Sequence, residues 1–292
     1  MSFTKVTLET AINTLASKGK IYSNESQFQF DLAWELRKQG LNIELEVLSA
    51  NCTPDRFANL PKEERKKYYS DIVVKDGDEY IAIELKYKTP DVGRLIRYEC
   101  NGKNHYLAAQ GAENMNSYLF WKDVERLENM VIHEIPLNFD GSKKIKKGYA
   151  VLLTNDSFYW DGNNRGVSLA NAFFLTKGRE VNGCIKGTLA GDTYSIILQG
   201  TYCIDTPSCR SCSYNSSCSS LCEWKEYLGW ETKPSISEVE IYEVASSVKY
   251  TVGSAVVLPG YLADKFCYLI VEVSNGQSLC GLAPKVNNIA KT

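Results

Sequence analysis

The sequence predicts a mixed α/β core over residues 1–160, followed by a β-rich C-terminal region over 161–292. Three observations predict this fold class. Apolar residues recur at helical spacing near the N terminus, two alternating β-rich runs adjoin at 70–88, and a long helical pattern leads to the apolar run 149–155. Helices, a hairpin, a crossover helix and a returning strand together indicate a sheet covered by helices.

The first elements are two helices and a short strand. Apolar residues at helical spacing predict a helix over 6–18, and a second helix is expected to begin at Ser23 or Asn24, which are favourable N-caps, and to end at Gly40. Alternation over 43–48 predicts a strand, and the charged segment 54–67 indicates a surface helix or loop.

The clearest local pattern is a β-hairpin. The runs SDIVVK (70–75) and EYIAIELKYK (79–88) are separated only by Asp76, Gly77 and Asp78. Residues of a strand point alternately to its two faces. One face of the second run is therefore apolar, and the other carries Ala82, Glu84, Lys86 and Lys88.

The remaining elements follow in order. A long helix is expected over about 106–130, then a buried strand over 149–155. Short strands at 194–199, 238–242 and 268–273, with many Ser, Thr and Gly residues between them, predict the β-rich extension.

Total charge and hydropathy limit the function classes. The chain of 292 residues has 33 basic and 35 acidic side chains and a formal net charge of −2, which excludes a globally basic binder but permits a locally basic groove. Apolar stretches are too short to span a membrane, and residues 1–10 do not resemble a signal peptide. A cytoplasmic protein is expected.

Two turn registers are open for the hairpin. A turn at Gly77-Asp78 places Asp71 opposite Glu84, with Cβ atoms about 4.5–5.5 Å apart. A turn at Asp76-Gly77 pairs Asp71 with Ala82 and leaves Glu84 on the diagonal, about 7–8 Å away. In either register, the two carboxylates share one face.

Two neighbouring carboxylates repel each other, and a divalent cation removes that repulsion. Carboxylate oxygens suit Mg²⁺, which keeps several waters and accepts substrate phosphate. Lys86, on the same face, is placed to orient or deprotonate an attacking water or to neutralise a phosphoryl oxygen. The alternative interpretation is an exposed hairpin face with an ordinary salt bridge.

The chain resembles the PD-(D/E)xK nuclease superfamily, and more closely a group of restriction-endonuclease-like bacterial proteins. The resemblance rests on blocks in the family's order: NESQFQFDLAWEL (24–36), YSDIVV (69–74), IAIELKYKTP (81–90), LAAQGAENMNSYLFWKDVERLE (107–128) and GYAVLLTND (148–156). It implies a restriction-endonuclease-like core that hydrolyses DNA with Mg²⁺ or Mn²⁺. Asp71 and Glu84 would be metal ligands, Lys86 the catalytic lysine, and Glu25 the acidic residue of the first core helix.

Two further positions follow from the resemblance. Gln110 and Tyr118 correspond to polar residues near DNA or the metal, with a plain helix surface as the alternative. Ser70 stands where the superfamily's name has proline, and the literal Pro-Asp pair ends at Asp55, which ranks below Asp71 as a candidate.

Basic residues near the hairpin are candidates for binding DNA phosphates, because Lys and Arg make most such contacts. They are Lys88, Arg94 and Arg97, with Lys103 and the lysines of 143–147 as further clusters. A solvated loop is the alternative interpretation for each cluster.

Half of the ten cysteines lie in a short insertion at 203–222. Its spacing C-x2-C-x5-C-x3-C suits four thiolate ligands of a structural zinc ion, and its first three positions also resemble the iron–sulfur site of RecB-like nucleases. Free thiols or disulfides are the alternative. The candidates are Cys203, Cys209, Cys212, Cys218 and Cys222, with Cys52 as an upstream ligand for a cluster.

The sequence therefore favours a Mg²⁺-dependent DNA endonuclease of restriction, defence or mobile-element biology. An alternative is a catalytically inactive nuclease-fold module that binds nucleic acid or protein. A third is a toxin or scaffold organised around the cysteines. A homodimer is one option for the assembly, and a partner protein is not specified.

Overall fold

The protein is described from a computed structural model. The structure describes residues 2–18, 22–50, 67–89, 94–100, 103–107, 112–138, 140–160, 172–204, 222–227, 239–243, 249–251 and 262–274.

The N-terminal region forms two helices, α1 (Lys5–Ser17) and α2 (Glu25–Lys38). The Thr4 side chain caps α1 by accepting a hydrogen bond from the Thr7 backbone amide, and Asn24 caps α2 through Gln27. These caps satisfy amide groups that have no partner within the helix. Both predicted helices are confirmed, and Asn24 is the N-cap of the second.

Twelve strands are found in the described ranges. They are β1 (Asn42–Ala50), β2 (Lys67–Asp76), β3 (Glu79–Lys88), β4 (Arg94–Cys100), β5 (Lys103–Leu107), β6 (Ile145–Asp156), β7 (Arg179–Leu189), β8 (Asp192–Ile204), β9 (Cys222–Tyr227), β10 (Val239–Glu243), β11 (Lys249–Thr251) and β12 (Leu262–Ser274).

The central sheet has six strands in the order β1-β2-β3-β6-β12-β9. Only β3 and β6 run parallel; their connection includes helix α3 (Glu113–Ile132), as a parallel pair requires a crossover. Helices α1 and α2 contribute to the apolar cluster on one face of the sheet, and α3 contributes to the cluster on the other. The coarse prediction of a mixed α/β fold is confirmed.

The predicted sorting of β3 onto two faces is also confirmed. Ile81, Ile83, Leu85 and Tyr87 belong to the cluster that includes α1 and α2. Ala82 belongs to the cluster on the α3 side. The face that carries Glu84 and Lys86 is therefore covered by α3.

Two smaller sheets complete the described structure. Strands β11, β10, β4 and β5 form one, in that order, and β7 with β8 forms a hairpin. The predicted strands at 194–199 and 268–273 lie within β8 and β12, and the strand predicted at 238–242 overlaps β10 from residue 239 onward. Because β9 and β12 extend the central sheet, strands from beyond residue 160 lie beside the N-terminal core. The division of the chain at that residue stays a prediction.

The helix expected over 106–130 was placed too early. It begins at Glu113, and residues 103–107 form β5 instead, paired with the unforeseen strand β4. Cys100 pairs with Lys103, which leaves Asn101-Gly102 between them, the dipeptide most typical of a hairpin turn. The sequence carries this turn signal, but the hairpin was not predicted from it. The segment predicted at 54–67 lies almost wholly outside the described residues, of which only Lys67 is in a strand.

None of the helices in the described ranges is long and apolar enough to cross a membrane.

Candidate functional site

The central sheet opens between β2 and β3. Their ladder runs from Asp76 paired with Glu79 to Ile72 paired with Ile83. This is the register of a turn at Gly77-Asp78, and Gly77 has the positive φ of 61° that the first position of such a turn requires. Beyond the ladder, β2 continues along β1 as far as residue 67, and β3 continues along β6 as far as residue 88.

Asp71 and Glu84 stand on opposite sides of this opening, as the next residues after the last ladder pair. The carboxylates of Asp71 and Glu25 lie in the opening. Asp71 Oδ2 accepts a hydrogen bond of 2.6 Å from the Leu85 amide, and Glu25 Oε2 accepts one of 2.8 Å from the Tyr87 amide. Acidic side chains thus replace a neighbouring strand as acceptors for β3.

The position of Asp71 is fixed from its backbone as well. Its carbonyl oxygen accepts a hydrogen bond of 2.8 Å from Gln29 Nε2, and the same nitrogen lies 2.7 Å from Glu46 Oε1. Gln29 lies on α2 one turn after Glu25, so one helix positions both the backbone of Asp71 and the carboxylate of Glu25. Hydrogen bonds made by side chains of α2, β1 and β2 therefore hold the two strands in this arrangement.

Helix α3 adds an acid and a base to the same place. Lys86 Nζ lies 2.8 Å from Asp123 Oδ2, and Arg126 forms ion pairs with Glu84 and, at 3.1 Å, with Asp123 Oδ1. The guanidinium of Arg126 also lies 5.3 Å from the centre of the Tyr68 ring. The order Glu84, Arg126, Asp123, Lys86 is a continuous chain of alternating charge between strand and helix.

With every member ionised, the cluster has one more negative charge than it has positive charges. Its ionisable members are four carboxylates and three cations, namely Glu25, Asp71, Glu84 and Asp123 against Lys86, Lys88 and Arg126. Glu84 is only 2% exposed, and its Oε1 has no hydrogen-bond partner among the described residues. A buried carboxylate oxygen without a partner is costly, and a bound cation would satisfy it.

The two strand carboxylates bind protons more tightly than usual. Burial raises the pKa of Asp71 to about 6, although the hydrogen bond from the Leu85 amide opposes it. Burial likewise raises the pKa of Glu84, against the effect of Arg126. Burial therefore disfavours the charged form of both carboxylates, and a nearby positive charge opposes that effect.

Lys86 is held in its charged form. Burial would lower its pKa, but Asp123 and Glu25, with the hydrogen bond to Asp123, outweigh burial and raise the pKa above the ordinary lysine value. A lysine that stays protonated cannot deprotonate a water. Of the roles expected from the sequence, orienting a water and neutralising a phosphoryl oxygen fit this environment.

A cavity of about 200 Å³ opens next to Arg126, between α3 and the start of β2. Its lining includes both apolar and charged side chains. The lining residues are Tyr68, Lys122, Glu125, Arg126, Asn129, Met130 and Ile135.

The metal fit is partial. Among the described residues, no group of three or more Asp, Glu, His or Cys side chains is arranged to hold a metal ion as it stands. Asp71 and Glu84 are separately engaged, by a backbone amide and by Arg126. The four carboxylates and the unpaired Glu84 oxygen nevertheless fit a divalent cation, provided that the guanidinium of Arg126 moves away from Glu84.

The structure brings four of the predicted residues together: Glu25, Asp71, Glu84 and Lys86. The half-buried Lys88 ends β3, and burial lowers its pKa. Of the other DNA-binding candidates outside 143–147, only Tyr118 has a side chain among the described residues. The Tyr118 ring packs against Phe173 and Tyr194, Arg94 and Arg97 lie in β4 with side chains outside the description, and Gln110 lies outside the described residues.

The lysines of 143–147 are largely paired with acids. Lys144 and Lys146 lie 2.7 and 2.5 Å from the Glu134 carboxylate, and Lys147 lies 3.3 Å from Glu272. Such pairs reduce the positive charge that this segment offers to a polyanion. A phosphate-binding role for it stays a prediction.

Of the six cysteines named in the metal-site prediction, two lie among the described residues. Cys203 lies near the end of β8 and Cys222 begins β9, and both are buried. Cys209, Cys212 and Cys218, like Cys52, lie outside the described residues. A zinc or iron–sulfur site there stays a prediction.

Sequence reasoning missed Gln29, Asp123 and Arg126. A signal for Asp123 existed, because it falls at the apolar spacing set by Phe120, Leu127 and Met130 on a helix whose face is otherwise buried. A charged residue at such a position needs a partner in the core. The lysine and arginine that bind it could then have been sought on the facing strand and one turn along the helix.

Comparisons of the chain with family models, with curated proteins and with solved structures find no match.

Proposed function

We propose that the protein is a Mg²⁺- or Mn²⁺-dependent endonuclease of the PD-(D/E)xK type, which hydrolyses DNA phosphodiester bonds in restriction, defence or mobile-element biology. The observation that carries the proposal is the opening of the sheet between Asp71 and Glu84. It exposes two β3 amides to acidic side chains and gathers an acid from α2, an acid from β2 and the Glu84-Leu85-Lys86 segment of β3.

Asp71 and Glu84 would hold the metal ion, with Glu25 beside them. A bound divalent cation supplies Lewis-acid polarisation of the phosphoryl oxygen and an acidified water. The buried setting of the two carboxylates favours a cation, because their mutual repulsion is poorly screened there.

Lys86 would act as a charged hydrogen-bond donor. Asp123 holds its ammonium group at 2.8 Å and keeps it protonated, so the group can donate to a water or to a phosphoryl oxygen as negative charge develops. Arg126 is a second cation of the same cluster, and guanidinium groups bind phosphate oxygens well.

The test is nicking of supercoiled plasmid in Mg²⁺ or Mn²⁺. We expect Asp71→Asn, Glu84→Gln and Lys86→Ala each to abolish nicking. Glu79→Gln and Lys75→Gln, in the same hairpin but at its turn end, serve as matched controls and should nick like the wild type. Equal activity in the site variants and the controls would show that another protein or another site cuts the DNA.

A non-catalytic nuclease-fold module is the second candidate. The observation that favours it is the pairing of Glu84 with Arg126 and of Lys86 with Asp123, which is also what a purely structural ion network would show. Such a module would bind DNA without metal and leave it intact. Gel-shift and nicking assays on one preparation distinguish the two candidates.

A further inference from the structure

We infer that Arg126 is an exchangeable counter-ion of the candidate metal site. Its guanidinium pairs with Glu84 in the metal-free protein and leaves that carboxylate when a divalent cation binds. The inference rests on the proposed function, because it takes Glu84 to be a metal ligand.

The contacts of Arg126 show why metal and arginine compete. The guanidinium is paired with Glu84 Oε2, while the other oxygen of that carboxylate has no partner among the described residues. A divalent cation bound to Glu84 would stand close to the guanidinium in a site where both partners are largely shielded from water. Two cations at such a separation repel each other strongly, so binding the metal weakens the arginine contact.

Arg126 borders open space into which its side chain can turn. It lines the cavity of about 200 Å³ beside α3, whose wall includes the Tyr68 ring and the Glu125 side chain. Its guanidinium already lies over Tyr68, and aromatic faces attract cations. A rotation of the side chain therefore exchanges the Glu84 contact for positions along this cavity, while Asp123 keeps Lys86 as a partner.

One consequence is that the arginine lowers the affinity of the free protein for metal. Removing its charge while retaining a polar side chain should make metal binding tighter, although the same substitution removes a cation from the proposed active site. A merely structural arginine would show the opposite result, because its loss would disorder Glu84 and weaken metal binding. The sign of the affinity change distinguishes the two roles.

The experiment measures Mn²⁺ binding to the full chain without DNA, by the paramagnetic resonance signal of unbound Mn²⁺. We expect Arg126→Gln to bind Mn²⁺ about tenfold more tightly than the wild type. Arg126→Lys, which keeps the charge, should stay near the wild type. Lys122→Gln removes one exposed charge a turn earlier on the same helix and should change affinity less than twofold.

Three outcomes overturn the inference. If the wild type binds Mn²⁺ and Arg126→Gln binds it equally or more weakly, Arg126 does not compete with the metal ion for Glu84. The proposed nuclease function would stand in that case. If Lys122→Gln tightens binding as much as Arg126→Gln, the effect is one of general charge. If none of the four proteins binds Mn²⁺, the proposed metal site itself is wrong and the inference fails with it.

A measurement on the wild type covers the case in which Arg126→Gln does not fold. The Nε–H resonance of Arg126 is assigned by its absence from Arg126→Lys and followed as Mg²⁺ is added. We expect it to shift with the occupancy of the site. An unchanged resonance at saturating Mg²⁺, with other site signals shifting, overturns the inference.

Discussion

Lys86 Nζ lies 2.8 Å from Asp123 Oδ2, so an aspartate of α3 holds the lysine that the β3 strand presents. The pair joins the two elements from which the candidate site is built. It also sets the charge of the lysine, because Asp123 is the foremost of the groups that raise its pKa. The helix therefore holds a charged side chain of the strand as well as covering the strand.

We predict that Asp123→Asn slows DNA cleavage about 10- to 100-fold, the range typical when a residue that orients a catalytic group is changed. As the pH is raised above neutral, the variant should lose activity at a lower pH than the wild type does. Without the aspartate charge, burial lowers the pKa of Lys86, and the ammonium group loses its proton earlier. The measurement is the cleavage rate between pH 7 and 11.

Glu125→Gln is the control for this substitution. Glu125 lies two residues further along the same helix and accepts a hydrogen bond from the Ile197 amide on β8. Its pH profile should match that of the wild type. An Asp123→Asn profile that superimposes on the wild-type profile would contradict the assigned role of the pair.

We predict that Asp71→Asn stabilises the metal-free protein at neutral pH. The ordinary pKa of this carboxyl group is 3.8, and in the folded protein it is about 6. Between these values the unfolded chain has lost the proton that the folded chain retains, so the wild type loses stability as pH rises through this window. Above pH 6 the penalty is constant and on the order of 3 kcal/mol. An uncharged asparagine avoids it.

The measurement for Asp71→Asn is urea unfolding in EDTA at pH 4 and pH 7.5. The variant and the wild type should differ little at the lower pH, and the variant should be the more stable at the higher one. Saturating Mg²⁺ should reverse the order, since the ion stabilises only a protein that binds it. A variant less stable than the wild type at pH 7.5 in EDTA would show that the carboxylate is needed for the fold.

Local sequence pattern predicted the half of the site that comes from the hairpin. Gly77 sets the turn, the turn sets the register, and the register places Asp71 and Glu84 across from each other. The sequence left two registers open, but both place the two carboxylates on one face, because each step depends on residues close in sequence.

The other half comes from α3 and could not be predicted in the same way. Asp123 is 37 residues from Lys86, and Arg126 is 42 residues from Glu84. Their meeting depends on how the helix crosses the sheet, which the order of the strands decides. That order includes β12 and β9, which join the core from the far end of the chain, and no local pattern specifies such pairing.

We predict that Gly148→Ala destabilises the protein by about 1–3 kcal/mol through overpacking. A Cβ atom at Gly148 would lie 2.8 Å from Leu127 Cδ2 and 3.0 Å from Leu127 Cβ, where α3 packs closely on β6. The shift needed to relieve this contact also moves the helix that carries Asp123 and Arg126. Activity should therefore fall together with stability.

The control for Gly148→Ala is Gly141→Ala, where an added Cβ has nothing within 4 Å. Urea unfolding measures both variants. Equal unfolding midpoints for the two would show that α3 has room to yield at this contact.

We predict that Glu128→Ala costs on the order of 3 kcal/mol of stability. Glu128 lies on α3, is 3% exposed, and accepts three hydrogen bonds of 2.7 Å, from the Gln199 and Gly200 amides and the Tyr202 hydroxyl of β8. Alanine leaves all three donors without this acceptor in a buried place. Glu128→Gln keeps one carbonyl oxygen but turns an amide donor toward other donors, so a smaller loss is expected.

The matched control is Glu134→Ala, because Glu134 pairs with Lys144 and Lys146 at the surface, where such pairs contribute little. Unfolding of Glu128→Ala at the same urea concentration as Glu134→Ala would mean that β8 does not depend on α3. If Glu128→Ala unfolds at a lower urea concentration, α3 connects the β7–β8 hairpin to the charged cluster. Substitutions that destabilise the hairpin should then also lower the activity of the candidate site.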